Sequence, residues 1–176
     1  MKKLLVVVDI QNDFIAGSLG SEEARAILPN VVNKIRNWDG DIICTQDTHG
    51  PDYLETREGR YLPIEHCIDG TEEHRLVDDV CVALFLRNKT GAPDRFLKKN
   101  TFGSVDLPKI IKDDEYDYIE LIGVCSDICV VSNAMLLKAH FPNTDIAVDA
   151  NCCAGVTPEK HNAALEVMKS CQINVI

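Results

Sequence analysis

Several segments of the chain carry side chains that could do chemistry together. Cys129 stands in Gly123-Val124-Cys125-Ser126-Asp127-Ile128-Cys129-Val130, where an apolar run ends and helical spacing begins. With Ser126 as N-cap, Cys129 falls at the third helical position. Unpaired N–H groups and the positive end of the helix dipole favour a thiolate there. Backbone N–H groups of the same turn can receive an oxyanion. This is the setting of a nucleophile, and it separates Cys129 from Cys152, Cys153 and Cys171, which read as buried structural thiols. Asp9 closes the first apolar run, and a carboxylate there must be hydrogen-bonded, cap the next turn or stay ionised for a purpose. Alone, it reads as a cap. Asp13 lies further along the loop and is the weaker candidate. The doublet Lys98-Lys99 reads as solvated surface unless a thiol and a carboxylate lie near. In that case one lysine can hold both in register and favour their charged forms, and charge alone does not say which.

A second group suggests a metal. Asp47 and His49 stand two residues apart in Thr45-Gln46-Asp47-Thr48-His49, and His66 follows in Leu62-Pro63-Ile64-Glu65-His66-Cys67. Two imidazoles and carboxylate oxygen suit Zn, Fe or Mn, with further positions open to water or substrate. Glu55 and Glu58 lie between the histidines, and either can complete the set. His74, His140 and His161 fall in segments of helical spacing without such neighbours and read as structural.

These residues need a scaffold, and the apolar pattern supplies one. Strand-length runs at Leu4–Val8, Asp41–Thr45, Val80–Leu86, Tyr118–Gly123, Asp145–Val148 and Ile173–Ile176 are apolar at nearly every position. Such runs suit strands buried on both faces of a parallel sheet. Helical spacing covers Glu22–Trp38, Val105–Lys112, Asp127–His140 and Pro158–Ser170. The last has Thr157 to cap it, with Pro158 and Glu159 in its first turn. The alternation predicts an α/β fold: a doubly wound three-layer sandwich on a mostly parallel sheet of about six strands, with right-handed crossovers. From Asp47 to Asp69 the periodicity stops, directly after a predicted strand end, where sites of parallel α/β folds form.

The 176 residues suit one domain, 1–176, and the 45% hydrophobic share is enough for a sizeable core. A net charge of −10 argues against non-specific hold on nucleic acid or an anionic membrane. No run approaches the roughly 20 apolar residues of a membrane span. The start resembles a signal peptide only as far as Val8, so a cytoplasmic protein is expected. The 8 cysteines are then reduced thiols, most of them small core residues, although Cys67 and Cys81 could pair.

Taken in order, five motifs resemble the isochorismatase-like cysteine hydrolases, and among them the nicotinamidases. They are V-V-D-x-Q-N-D-F from Val7, T-Q-D-T-H from Thr45, E-G-R-Y-L-P-x-x-H-C from Glu58, K-x-T-F-G-S from Lys99 and G-V-x-S-D-x-C-V from Gly123. Any one is modest, but the ordered set spans most of the chain.

The resemblance implies a catalytic triad of Asp9, Lys99 and Cys129. Lys99 is preferred to Lys98 because the family lysine stands three residues before an aromatic one, here Phe102. It implies a cis peptide between Val124 and Cys125 beside the oxyanion-binding turn. It also implies a divalent metal on Asp47, His49 and His66, zinc first and iron or manganese next, with Glu58 as the glutamate of one family variant and Glu55 as fallback. The family aromatic that flanks a pyridine ring is replaced by Leu62, leaving Phe14 as the aromatic wall. The activity implied is hydrolysis of a small amide, nicotinamide above all, by a homo-oligomer. A vinyl-ether hydrolase and a non-catalytic thiol or metal-binding protein are the rivals.

Overall fold

The computed structural model describes residues 1–87, 95–111 and 116–176. Strand β1 (Lys3–Val8) sits at the centre of the architecture. Its Leu4, Val6 and Val8 enter one hydrophobic core, while Leu5 and Val7 enter the other. A strand apolar on both faces can only be satisfied in the middle of a covered sheet. On one side it pairs in parallel with β2 (Asp41–Asp47), and on the other with β4 (Tyr118–Val124). Beyond them lie β3 (Arg95–Lys99), β5 (Asp145–Ala154) and β6 (Asn174–Val175), giving the order β3-β2-β1-β4-β5-β6. All ladders are parallel.

Helices cover both faces. Short α1 (Asn12–Ile15) follows β1; then α2 (Glu22–Asn37) is capped by Ser21 and buries Ala24, Ile27, Val31 and Ile35 at helical spacing. It shares the Leu5/Val7 face with α4 (Asp78–Arg87). The other face carries α5 (Leu107–Ile110), α6 (Val131–His140) and α7 (Pro158–Ser170) through Leu107, Ala134, Leu137, Leu165 and Met168. This is the expected doubly wound three-layer α/β sandwich.

One predicted strand is wrong. Val80–Leu86 lies within α4, where Val80, Ala83 and Leu84 are buried and Val82, Phe85 and Leu86 are exposed. The third strand comes later, at β3, whose alternating exposure and charged residues conceal it as an edge. The predicted helix Val105–Lys112 contracts to α5, and Lys112 lies outside the described residues. Helix α7 keeps its predicted bounds, with the Lys160 N–H donating to Thr157 Oγ1 at 3.3 Å. The irregular Asp47–Asp69 stretch contains a 3₁₀ turn (Tyr53–Glu55) and α3 (Arg57–Tyr61). His74 lies in a turn, not a helix. Cys171 is exposed, and the described cysteines, including Cys67 and Cys81, are free thiols. Among the described residues no helix is long and apolar enough to cross a membrane.

The chain reverses its direction of winding between β1 and β4, which creates a crevice at their carboxyl ends. Gly123 makes the close approach there possible: at φ +126° only glycine is at ease, and a Cβ would collide with the Val8 carbonyl.

Candidate active site

Four strand ends deliver the predicted residues into this crevice. Asp9 follows β1 at φ +51°, a left-handed turn that aspartate tolerates better than most residues. Asp47 ends β2, Lys99 ends β3, and Cys129 lies in the π-helical turn Ser126–Val130 after β4. Lys99 Nζ lies 2.7 Å from Asp9 Oδ2, 3.2 Å from Asp47 Oδ1 and 3.6 Å from Cys129 Sγ. Thr45 Oγ1 donates to Asp9 Oδ1 at 2.7 Å. Lys98 instead points to surface and pairs with Asp69 at 2.6 Å, so the inward lysine of the doublet is Lys99.

Burial controls the electrostatics. It pushes the Asp9 carboxyl up, opposed by the Lys99 charge and reinforced by Asp47. It pushes the Cys129 thiol well above its ordinary value, with Asp9 adding to the effect and Lys99 opposing it. Burial would lower Lys99, but the surrounding Asp9, Cys129 and Asp47 raise it instead. The expected bias toward a resting thiolate is therefore outweighed by desolvation: the thiol holds its proton beside a carboxylate able to take it. Ser126 is also not the predicted cap. It is the first residue of the turn, and its hydroxyl meets His161 Nδ1 at 2.9 Å. The peptide between Val124 and Cys125 is cis, as the resemblance implied.

Beside the lysine, Asp47, His49, Glu58 and His66 bring one donor atom each within 4.8 Å of one another. Asp47 Oδ2 is 3.1 Å from His49 Nε2 and 3.5 Å from His66 Nε2, while Glu58 Oε1 is 3.8 and 3.9 Å from the same nitrogens. Four donors about 2.0–2.2 Å from one zinc ion stand roughly 3.3–3.6 Å apart, a range that the carboxylate–imidazole separations of 3.1–3.9 Å bracket. His66 Nδ1 lies 2.8 Å from the Ile64 carbonyl, which accepts its proton and turns Nε2 toward the other three donors. Asp47 is held below the usual carboxylate range: burial would raise it, but hydrogen bonds from both histidines and the Lys99 charge prevail. Glu55 is exposed and outside the cluster.

A cavity of about 400 Å³ joins the two groups, lined by Cys125 and Cys129 on one side and Asp47, Glu58 and His66 on the other. Phe14 and Leu62 are both in its wall, and the Phe14 ring meets His66 edge-on at 5.8 Å. A more open cleft of about 610 Å³ lies beyond Glu58 and Phe102, but no cysteine lines it.

Sequence reasoning missed several supports. Phe102, which in the sequence marks only the spacing to Lys99, also lines the cavity. The Gln11 side chain clamps the Asp47 backbone, accepting from its N–H at 2.7 Å and donating to its carbonyl at 2.9 Å. Asn133 donates to the Cys129 carbonyl at 2.8 Å and accepts from the Ser104 N–H at 2.9 Å, tying the thiol's turn to the segment after Lys99. Asp13, the weaker carboxylate, accepts the Cys67 N–H at 2.6 Å and so anchors the chain just after His66. Buried amides of this kind leave no periodic signal.

Such a crevice, with a thiol, a lysine and two carboxylates at a switch point, defines an α/β protein built to hold a small molecule at its strand ends. The isochorismatase domain model matches residues 3–176, and the chain belongs to the isochorismatase family. It is 29% identical over 174 residues to an uncharacterized isochorismatase family protein, PncA, of Bacillus subtilis, covering 94% of this chain and 93% of that one. The crystal structure of nicotinamidase/pyrazinamidase PncA from Bacillus subtilis superposes with a TM-score of 0.87 at 28% identity, over 99% of each chain. Pyrazinamidase of Pyrococcus horikoshii, solved in complex with zinc, gives 0.81 at 25% identity over 100% of this chain and 99% of that one.

Proposed function

We propose that residues 1–176 form one hydrolase domain that cleaves small carboxamides, foremost nicotinamide to nicotinate and ammonia. The observation that carries this reading is Lys99 Nζ lodged between Asp9, Asp47 and Cys129, the last two of which line one cavity with Glu58 and His66. Asp9 takes the Cys129 proton as sulfur attacks the amide carbon, and Lys99 stabilises the resulting negative charge. The N–H groups of Cys125 and Cys129 receive the oxyanion. Asp9 returns the proton to nitrogen, the C–N bond breaks, and ammonia leaves a thioester. Water, deprotonated by Asp9, attacks that thioester; the C–S bond breaks and sulfur regains its proton.

Asp47, His49, Glu58 and His66 would hold a divalent transition metal, zinc in the first place. When bound, it supplies a Lewis-acidic anchor for a ring nitrogen of the substrate. Phe14 and Leu62 then face the ring. Such an enzyme would act in the cytoplasm, in NAD salvage, as a homo-oligomer.

An ammonia-release assay over nicotinamide, pyrazinamide, benzamide and aliphatic amides tests the reading. Nicotinamide should be turned over and benzamide, which lacks the ring nitrogen, should be much poorer. Equal kcat/KM for the two would remove the metal from substrate recognition. Leu62 favours a second reading, hydrolysis of another small amide, because it forfeits ring stacking worth roughly 0.5–1.5 kcal/mol. If that stacking is what the pocket lacks, Leu62→Trp should lower KM for nicotinamide by up to about tenfold.

A further inference from the structure

We infer that Tyr53 is a positioning residue that seats the metal donors, an inference that rests on the metal site proposed above. Tyr53 belongs to the loop between β2 and α3 and has no exposed surface at all. Its ring lies 4.7 Å from that of His49 and 4.9 Å from that of His66, with interplanar angles of 56° and 77°. The two imidazoles are themselves 4.8 Å apart at 71°. The three rings form one buried cluster in which the tyrosine fixes the tilt of both histidines. A coordinating imidazole must present its nitrogen along a narrow direction, and packing that holds the ring reduces what must be ordered when an ion binds.

The other end of the side chain acts on a different part of the site. The Tyr53 hydroxyl donates to the Leu62 carbonyl at 3.0 Å, at the end of α3. The carbonyl of Tyr53 accepts from Thr56 Oγ1 at 2.6 Å, and Thr56 Oγ1 in turn accepts the Gly59 N–H at 3.0 Å. Gly59 packs so closely on the Tyr53 carbonyl that a Cβ would collide with it. Glu58 is therefore carried on a single turn pinned at both ends to Tyr53. One side chain thus seats His49 and His66 by its ring and Glu58 by its hydroxyl, although it supplies no donor atom to the cluster.

The ring and hydroxyl can be separated by substitution. Zinc affinity by chelator competition and the visible spectrum of the cobalt-loaded protein are measured for wild type, Tyr53→Phe and Tyr53→Leu. Tyr53→Phe keeps the ring and loses the Leu62 bond, so zinc should bind about threefold more weakly with the cobalt spectrum nearly unchanged. Tyr53→Leu loses both, so affinity should fall at least about tenfold, within the range seen when groups behind metal ligands are removed, and the cobalt bands should shift. Wild-type affinity and spectrum in a folded Tyr53→Leu protein would overturn the inference. If that variant does not fold, wild-type zinc affinity in Tyr53→Phe would overturn it instead. Wild-type protein that takes up neither ion would overturn the metal reading and this inference with it, an outcome separate from either variant's result.

Discussion

Among the described residues two lysines each reach two buried carboxylates, and they behave differently. Lys34 of α2 reaches Glu120 Oε1 at 2.7 Å and Asp149 Oδ2 at 2.8 Å, and the Tyr118 hydroxyl donates to the other Glu120 oxygen at 2.8 Å. Lys99 has the same two-carboxylate company in Asp9 and Asp47. The Lys34 side chain is 25% exposed at an open surface cleft, whereas that of Lys99 is 1% exposed. At Asp149, burial opposes ionisation but the Lys34 hydrogen bond and charge prevail, so the carboxyl falls below its usual range. At Asp9, burial prevails over Lys99 and the carboxyl rises. The lysine pairing is alike, yet Asp9, fully buried and repelled by Asp47, rises, whereas Asp149 falls, and so does Asp47, which both histidines also bond. A buried lysine between carboxylates is thus not in itself a site. Depth that leaves a carboxyl ready to exchange a proton, and a thiol beside it, distinguish Lys99 from Lys34.

The largest expected effects test that distinction directly. Cys129→Ala should reduce turnover by about 10⁴-fold or more while folding normally, and Lys99→Met should come close to it, since residues that act as a unit fail together. Lys34→Met, Cys152→Ala and Cys171→Ala should stay within about twofold of wild type, since none touches the reacting atoms. Comparable losses from Lys34→Met and Lys99→Met would break the comparison.

Metal content should sharpen it. Asp47 gives one oxygen to Lys99 and the other to His49 and His66, an arrangement without counterpart at Lys34 among the described residues. Elemental analysis should find near-stoichiometric transition metal in wild type and in Glu120→Gln, and little in the His49→Ala, His66→Ala double variant. Glu58→Gln should weaken retention and Glu55→Gln should not. Metal kept by the double variant would move the site elsewhere.

Stability should not follow turnover, because the Lys34 network carries a cost of its own. Lys34→Met strands two carboxylates on the α2 face of the sheet. Breaking such a buried pair costs about 3 kcal/mol at the low end of the known range, the appropriate end for a partly exposed lysine. For a chain of this size that is a Tm lower by about 6–12 °C. Thermal melts with unchanged Tm would show that this network contributes nothing.

The comparison also explains what could be read in the sequence. Asp9, Asp47 and Cys129 were legible as candidates because each stands where an apolar run breaks, while the ordered motifs favoured Lys99 over Lys98 and Glu58 over Glu55. Lys34 was invisible: it is one charged residue on an amphipathic helix, and its partners Glu120 and Asp149 sit inside strands otherwise apolar. Val80–Leu86 was misread because a short run apolar at every position fits a buried strand and a buried helix alike. Only Asp78 and Asp79 ahead of it mark a helix start, an electrostatic signal weaker than the run itself. Tyr53 and Gln11 were missed because their work depends on contacts that sequence spacing does not encode.

The smallest predicted effect is the pH dependence of the Lys34→Met penalty. The Asp149 carboxyl is depressed in the folded protein, so its contribution is present above its unfolded value near about 3.9 and is lost as pH falls through the folded one. Lys34 is raised, with burial opposing and hydrogen bonds to Asp149 and Glu120 prevailing. Its contribution is complete below an unfolded value near about 10.4 and is lost as pH rises through the folded one. Both are therefore in force from about pH 5 to 9, and the Tm gap between wild type and Lys34→Met should be flat there. Below that window protons neutralise the carboxylates stranded in the variant while wild type loses the benefit of its ion pairs, so the gap must narrow. Melts from about pH 3 to 9 measure it. A gap that widens toward acid would mean that Asp149 is not held ionised by Lys34, and the contrast with Asp9 would then rest on depth alone.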